Sequence, residues 1–98
     1  MPTVVQVDNE ASDDFTIAEV FTEDRIGVLF KITHAMHQLG LSIHVAKIST
    51  NVDQVADIFY VTDAHGKKIQ EAGRVEEIRL SLYENLALQD ERVAQSLH

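Results

Sequence analysis

Asp24-Arg25-Ile26-Gly27-Val28-Leu29 is the stretch of this chain best suited to hold a small ligand. Before it, Phe15 to Thr22 alternates like a strand; after it, Val28, Leu29, Ile32, Ala35, Met36 and Leu39 fall on one helical stripe. A strand–turn–helix junction aims several unpaired N–H groups at one point, and the helix dipole makes that point favour anions. A small carboxylate could be held there by backbone alone. Asp24 is of the residue type that caps helices, and Gly27 lets the backbone approach whatever sits above the turn. The same residues would serve equally well as a plain cap and turn with no ligand.

Other residues of chemical interest are fewer. His34 and His37 stand three apart on the same helix, a spacing that can bring two imidazoles to one metal ion, but they fall off the apolar stripe and read as solvated. No metal site is expected from them. His65, in Asp63-Ala64-His65-Gly66, reads as a turn residue. Asp57 shares a strand face with Val55, Phe59 and Val61, where a carboxylate needs a cation or a backbone N–H; Lys47 and Arg25 are the candidate partners. The alternative is a buried acid with a raised pKa at a functional site. With no cysteine, the chain has no disulfide, no thiolate nucleophile and no cysteine zinc site.

Ninety-eight residues, 45% of them hydrophobic, suit one domain over 1–98 with an ordered core of about 3–88. A formal charge of −8 with only eight Lys and Arg residues, none clustered, argues against nucleic acid as a partner. No apolar run approaches the length of a membrane span, and Met1-Pro2-Thr3-Val4 does not read as a signal peptide. The expectation is a cytoplasmic protein, or a domain cut from one, with no membrane partner and no cofactor.

The elements that must position the turn follow in order. Pro2 to Val7 makes a short strand, the acidic loop from Asp8 to Asp14 follows, and Phe15 to Thr22 is the second strand. The first helix ends at Gly40, Ile43 to Thr50 and Val55 to Thr62 form a hairpin through Asn51–Gln54, and Gly73 precedes a second helix. In that helix Val75, Ile78, Leu82 and Leu86 share a face, and a frayed end follows Gln89. The order β-β-α-β-β-α predicts an α+β, two-layer, ferredoxin-like sandwich: a four-stranded antiparallel sheet with two helices on one face. It is a permuted version, in which residues 2 to 7 take the edge slot usually filled by a C-terminal strand. Ala56, Ile58 and Tyr60 lie on the face that the helices cannot cover, which suggests burial against another domain or subunit; Phe30, off its helix stripe, reads the same way.

Five strings in this order carry a family resemblance: Thr16-Ile17-Ala18-Glu19-Val20, Asp24-Arg25-Ile26-Gly27-Val28-Leu29, Gly40-Leu41-Ser42-Ile43, Ala46-Lys47-Ile48-Ser49-Thr50 and Asp57-Ile58-Phe59-Tyr60-Val61-Thr62-Asp63. The chain resembles an ACT domain from about Val4 to Leu86. It is most similar to the last ACT domain of the bifunctional uridylyltransferase/uridylyl-removing enzymes, which modify the nitrogen-regulatory PII protein. The resemblance implies a regulatory module, excised from a larger enzyme, that binds a small amino acid such as glutamine and associates as a homodimer or with a neighbouring ACT domain. It also implies the site: Asp24, Arg25, Ile26, Gly27, Val28 and Leu29 of one chain, closed by Ile43, His44 and Val45 of its neighbour. The family turn usually reads Asp-Arg-Pro-Gly, and Ile26 here removes the proline that would pre-set the first helical residue. An association module without a ligand is the second reading. No nucleotidyltransferase or phosphohydrolase motif is present, so no catalytic residue is assigned.

Overall fold

Alternation of apolar residues builds one antiparallel sheet from β1 (Val4–Asp8), β2 (Thr16–Thr22), β3 (Ser42–Thr50) and β4 (Val55–Thr62), in the spatial order β1-β2-β4-β3. The computed structural model describes residues 3–23, 27–50 and 55–96, so the expected Asn51–Gln54 hairpin turn lies outside the described residues. In the ferredoxin-like order the last strand pairs with the first at one edge. Here β1 fills that place, pairing with β2 from Val4↔Phe21 to Asp8↔Ile17. The permutation read from the sequence is the one observed.

Two helices, α1 (Val28–Gln38) and α2 (Ala72–Ser96), pack on each other and on one face of the sheet. Between them and the sheet lies the core: Ile32, Ala35 and Met36 of α1, Ile78, Leu82 and Leu86 of α2, Ala18 and Val20 of β2, Phe59 and Val61 of β4. The stripe of α1 is narrower than its sequence suggests, because Leu29 is 45% exposed. It lies about 100° round the helix from Val28, on the flank of the apolar face.

The end of α1 follows from Gly40. With φ 76 it takes the left-handed conformation, so that its N–H reaches the His37 carbonyl and the Leu41 N–H reaches that of Met36, each at 3.0 Å. Those two bonds, with buried Met36 and Leu41 in contact range through the core, are a Schellman cap. The Arg74 guanidinium from the first turn of α2 donates to the Leu39 carbonyl and to Glu77. A cation at the carbonyl end of α1 is favoured by its dipole and ties the two helices together.

One expectation for α2 is corrected. Gly73 lies inside it, since the Val75 N–H already bonds the Glu71 carbonyl at 3.0 Å; glycine in a first turn does not stop a helix. The helix runs to Ser96, and no Gly or Pro follows Gly73.

A buried polar knot pins the start of β2. The Thr16 hydroxyl donates to Asn9 Oδ1 at 2.6 Å and accepts from the Ile69 N–H at 3.0 Å, while Asn9 Nδ2 donates to the Ile69 carbonyl at 2.6 Å. Each member is satisfied, so Ile69 can enter the core without orphaned backbone groups.

Candidate functional site

The junction between β2 and α1 begins with backbone conformation. Gly27 occupies the N-cap of α1 with φ 85 and ψ 0, and the Lys31 N–H closes the first helical bond onto its carbonyl at 2.9 Å. Asp24 therefore does not hold the N-cap position, and Ile26 stands two residues before the first helical residue. Asp24, Arg25 and Ile26 themselves lie outside the described residues. A Cβ added to Gly27 would meet nothing within 4 Å. The glycine is thus required by its φ and not by close packing at that Cβ. Gly27 has no side chain to accept from the N–H groups of Val28, Leu29 and Phe30, and the first turn of α1 contains no acidic residue. Among the described residues no side chain caps this first turn, and the positive end of a helix dipole suits a carboxylate.

The other proposed half, Ile43, His44 and Val45, interrupts the regular edge strand. Ile43 pairs with Val61 and Val45 with Tyr60, so His44 is the extra residue of a β-bulge. A bulge puts two successive side chains on one face, and here His44 and Val45 both turn to the helix-free side. There the His44 ring lies 5.2 Å from that of Phe15, which meets Tyr60 edge-on at 6.0 Å. Ile43 alone of the three shares the helix-bearing face with Val61.

The polar partner of His44 is Thr62, whose hydroxyl lies 2.8 Å from His44 Nε2 and 3.0 Å from the Asp63 carbonyl.

Register shows that one chain does not bring the two halves together. Thr22 and Thr50 both meet Val55, at the end of the sheet that leads into Gly27. Thr16 and Ile43 both meet Val61, at the opposite end. A second strand pairing antiparallel along the edge of β3 would reverse this relation and carry its own Ile43 to the Gly27 end. β3 has that edge available: it is a nine-residue outer strand, and every described side chain from Ser42 to Ser49 is exposed.

The remaining candidates separate cleanly. Asp57 is 1% exposed on the helix-facing side. Lys47, on the opposite face, instead lies over the Tyr60 ring, 5.1 Å from its centroid, with Nζ 3.4 Å from the hydroxyl, so it is not the partner of Asp57. Arg25, the other candidate, lies outside the described residues. On the outer side of α1 Phe30 is 71% exposed and stacks on His34 at 5.6 Å. Among the described residues no three His, Cys, Asp or Glu side chains are grouped to hold a metal ion. Nor does any described helix have the length and apolarity to cross a membrane. In the turn after β4, Asp63 Oδ1 accepts from the N–H groups of Lys67 and His65; those bonds, Lys67's first, hold its carboxyl below the usual aspartate range.

A groove of about 720 Å³ lies at the C-terminal end of α1, away from Gly27, between Gly40, Leu41 and the 63–71 segment. Its Lys68 is committed to the Ser12 carbonyl and its Arg74 to Leu39 and Glu77. Four carboxylates, Asp13, Asp14, Asp63 and Glu71, stand around those committed cations, so the groove is predominantly acidic.

The chain is 40% identical over 87 residues to a bifunctional uridylyltransferase/uridylyl-removing enzyme of Azospirillum brasilense, a match covering 89% of the chain and 9% of that enzyme. Enzymes of the same name from Cereibacter sphaeroides and Ruegeria pomeroyi are 38% and 36% identical over 96% and 98% of the chain, and 10% and 11% of their own lengths. The chain thus spans about a tenth of the length of the curated relatives it matches. No solved structure matches it significantly. A family model described as "ACR9-like, ACT-like domain" matches residues 4–94, from the first residue of β1 nearly to the last of α2. Sheet order and sequence agree over that whole span, and the chain belongs to the ACT-like domain family.

Proposed function

We propose that this domain is a non-catalytic regulatory module: it binds a small amino acid and controls an attached uridylyltransferase/uridylyl-removing enzyme in nitrogen regulation. Glutamine is the ligand implied by the resemblance to the ACT domains of those enzymes. The observation that carries the reading is the N-terminus of α1, where a left-handed glycine takes the N-cap and, among the described residues, neither a side-chain cap nor an acidic first-turn residue is present. The ligand carboxylate would sit there, and Ile43 of a neighbouring domain paired along β3 would close the site from the helix side. Ile43 and Leu29, 37% and 45% exposed, are apolar surfaces that such pairing would cover. The placement of His44 and Val45 on the other face supports a role for them in pairing rather than in ligand contact.

Signal transfer then follows from linkage. A ligand held between two domains favours their paired arrangement by the difference in its affinity for paired and unpaired forms. Such a module would work in the cytoplasm. The second reading is an association module with no ligand, favoured by Ile26 in place of the family proline. A small acylphosphatase-like enzyme on this kind of fold would need an anion-binding arginine with a positioned asparagine. Arg25 beside Asp24 does not make that case.

The test is an amide NMR titration with glutamine and a panel of other amino acids, run beside sedimentation of the same sample. Saturable shifts confined to 24–29 and 43–46 are expected, together with a rise in the associated fraction. Flat spectra in a dimeric sample would overturn ligand binding and leave the association module.

A further inference from the structure

Cross-strand register sorts the helix-free face of the sheet into rows. One row reads Gln6, Glu19, Ile58, Lys47 from β1 through β2 and β4 to β3. The next reads Asp8, Ile17, Tyr60, Val45, and on the other side lie Val4, Phe21, Ala56 and Ser49. The centre of the face is therefore apolar, with Ile58, Tyr60 and Phe21 half-buried and Val4 and Val45 exposed. Its charges are segregated. Asp8 and Glu19 stand on β1 and β2, whereas Lys47 stands on β3. The Lys47 ammonium is drawn in over Tyr60, so it lies above the face instead of off its edge.

We propose that this face packs against the same face of a second copy of the domain, about a two-fold axis parallel to the strands. That axis exchanges β1 with β3 and β2 with β4. It sets the acidic side of each face over the basic side of the other. The backbone of Lys47 lies over the partner's Gln6, while its ammonium, drawn in over Tyr60 of β4, faces the partner's β2, which carries Glu19. A two-fold axis perpendicular to the strands would instead set Glu19 against Glu19 and Lys47 against Lys47. Charge complementarity thus selects both the occupant and its orientation, since a face that is acidic on one side and basic on the other is its own complement. The arrangement is the aligned packing of two twisted sheets, ~10 Å apart with strands inclined by ~30°.

Magnitude decides how strong the pairing is. Four strands ~4.8 Å apart and roughly 23 Å long present on the order of 450 Å² per copy, about half of the ~800 Å² per partner in a stable interface. The pair is therefore weak and concentration-dependent in solution. It becomes significant where two copies are tethered, because the tether supplies the effective concentration. The net charge of −8 opposes it little at physiological salt, where charges beyond ~8 Å are screened.

The experiment is sedimentation equilibrium of the domain from micromolar to millimolar concentration, on wild type, Glu19→Lys, Lys47→Glu and Ile58→Arg, each checked for unchanged circular dichroism and melting. Wild type is expected to rise from 11.0 kDa toward twice that mass. Each charge reversal should weaken the dimer by about tenfold or more, and Ile58→Arg should abolish it. Mixing Glu19→Lys with Lys47→Glu should restore it, since both contacts in the mixed dimer are then of opposite sign. Pairing along the β3 edge does not predict that restoration. A wild type that stays monomeric throughout, a dimer that none of the variants weakens, or single variants that fail to associate on mixing would each overturn the proposal. Should Lys47→Glu not fold, the double variant Glu19→Lys/Lys47→Glu replaces the mixture, with recovery of wild-type association as the expected result and no recovery as the refuting one.

Discussion

Gly27 shows how a single backbone angle can shape a turn. At φ 85 an L-residue is strained, but no atom lies within 4 Å of the added Cβ, so Gly27→Ala carries conformational cost and no clash. The expected destabilisation is about 1–2 kcal/mol by denaturant unfolding; an unchanged midpoint would show that the left-handed turn is not needed. Thr16 is the opposite case, a residue whose role is contact. Thr16→Val keeps the shape but leaves the Ile69 N–H and Asn9 Oδ1 without the hydroxyl, at an expected cost of ~1–3 kcal/mol. Faster hydrogen exchange at the Ile69 amide would accompany it, and unaltered exchange would count against the knot. Gly27 was legible in the sequence because turn chemistry is local. Thr16 was not, since its partner Ile69 lies 53 residues away and no short motif announces the pair.

Among the elements, β1 carries the clearest consequence. It closes one sheet edge and buries Val5 under α2 with Val7 partly covered, which together stabilise the fold by on the order of 3 kcal/mol. Removing residues 1 to 8 would also bare the edge of β2, a strand with little charge to discourage pairing. A large fall in melting temperature is expected, with aggregation at high concentration; a deletion that melts like the parent would contradict the permuted sheet. The period of α1 and α2 and the alternation of the strands were readable because each reports a local geometry. Leu29 was misassigned to the core because periodicity gives a direction and not the width of what is packed there. The bulge at His44 escaped notice because it exists only as a mismatch between β3 and β4.

For the whole molecule, the two ways of pairing differ in symmetry. Pairing along β3 uses a two-fold axis perpendicular to the sheet at its edge, whereas pairing through the helix-free face uses one parallel to the strands at its centre. Those axes do not intersect, so both contacts used fully at once would propagate instead of closing. A closed dimer of this domain would use one of them, and a ligand that favoured the edge contact would shift the population away from the face contact by its differential affinity.

Composition, periodicity and turn residues determined the class, the element order, the permutation and the position of the αL glycine, because all of these are set within a few residues of chain or by the apolar balance of one face. Tertiary structure alone decided which ends of the strands meet. It put Gly27 and Ile43 at opposite ends of the sheet, turned His44 to the helix-free face, and moved Lys47 from Asp57 to Tyr60. Cross-strand register and bulges are properties of two strands together, and neither strand encodes them alone.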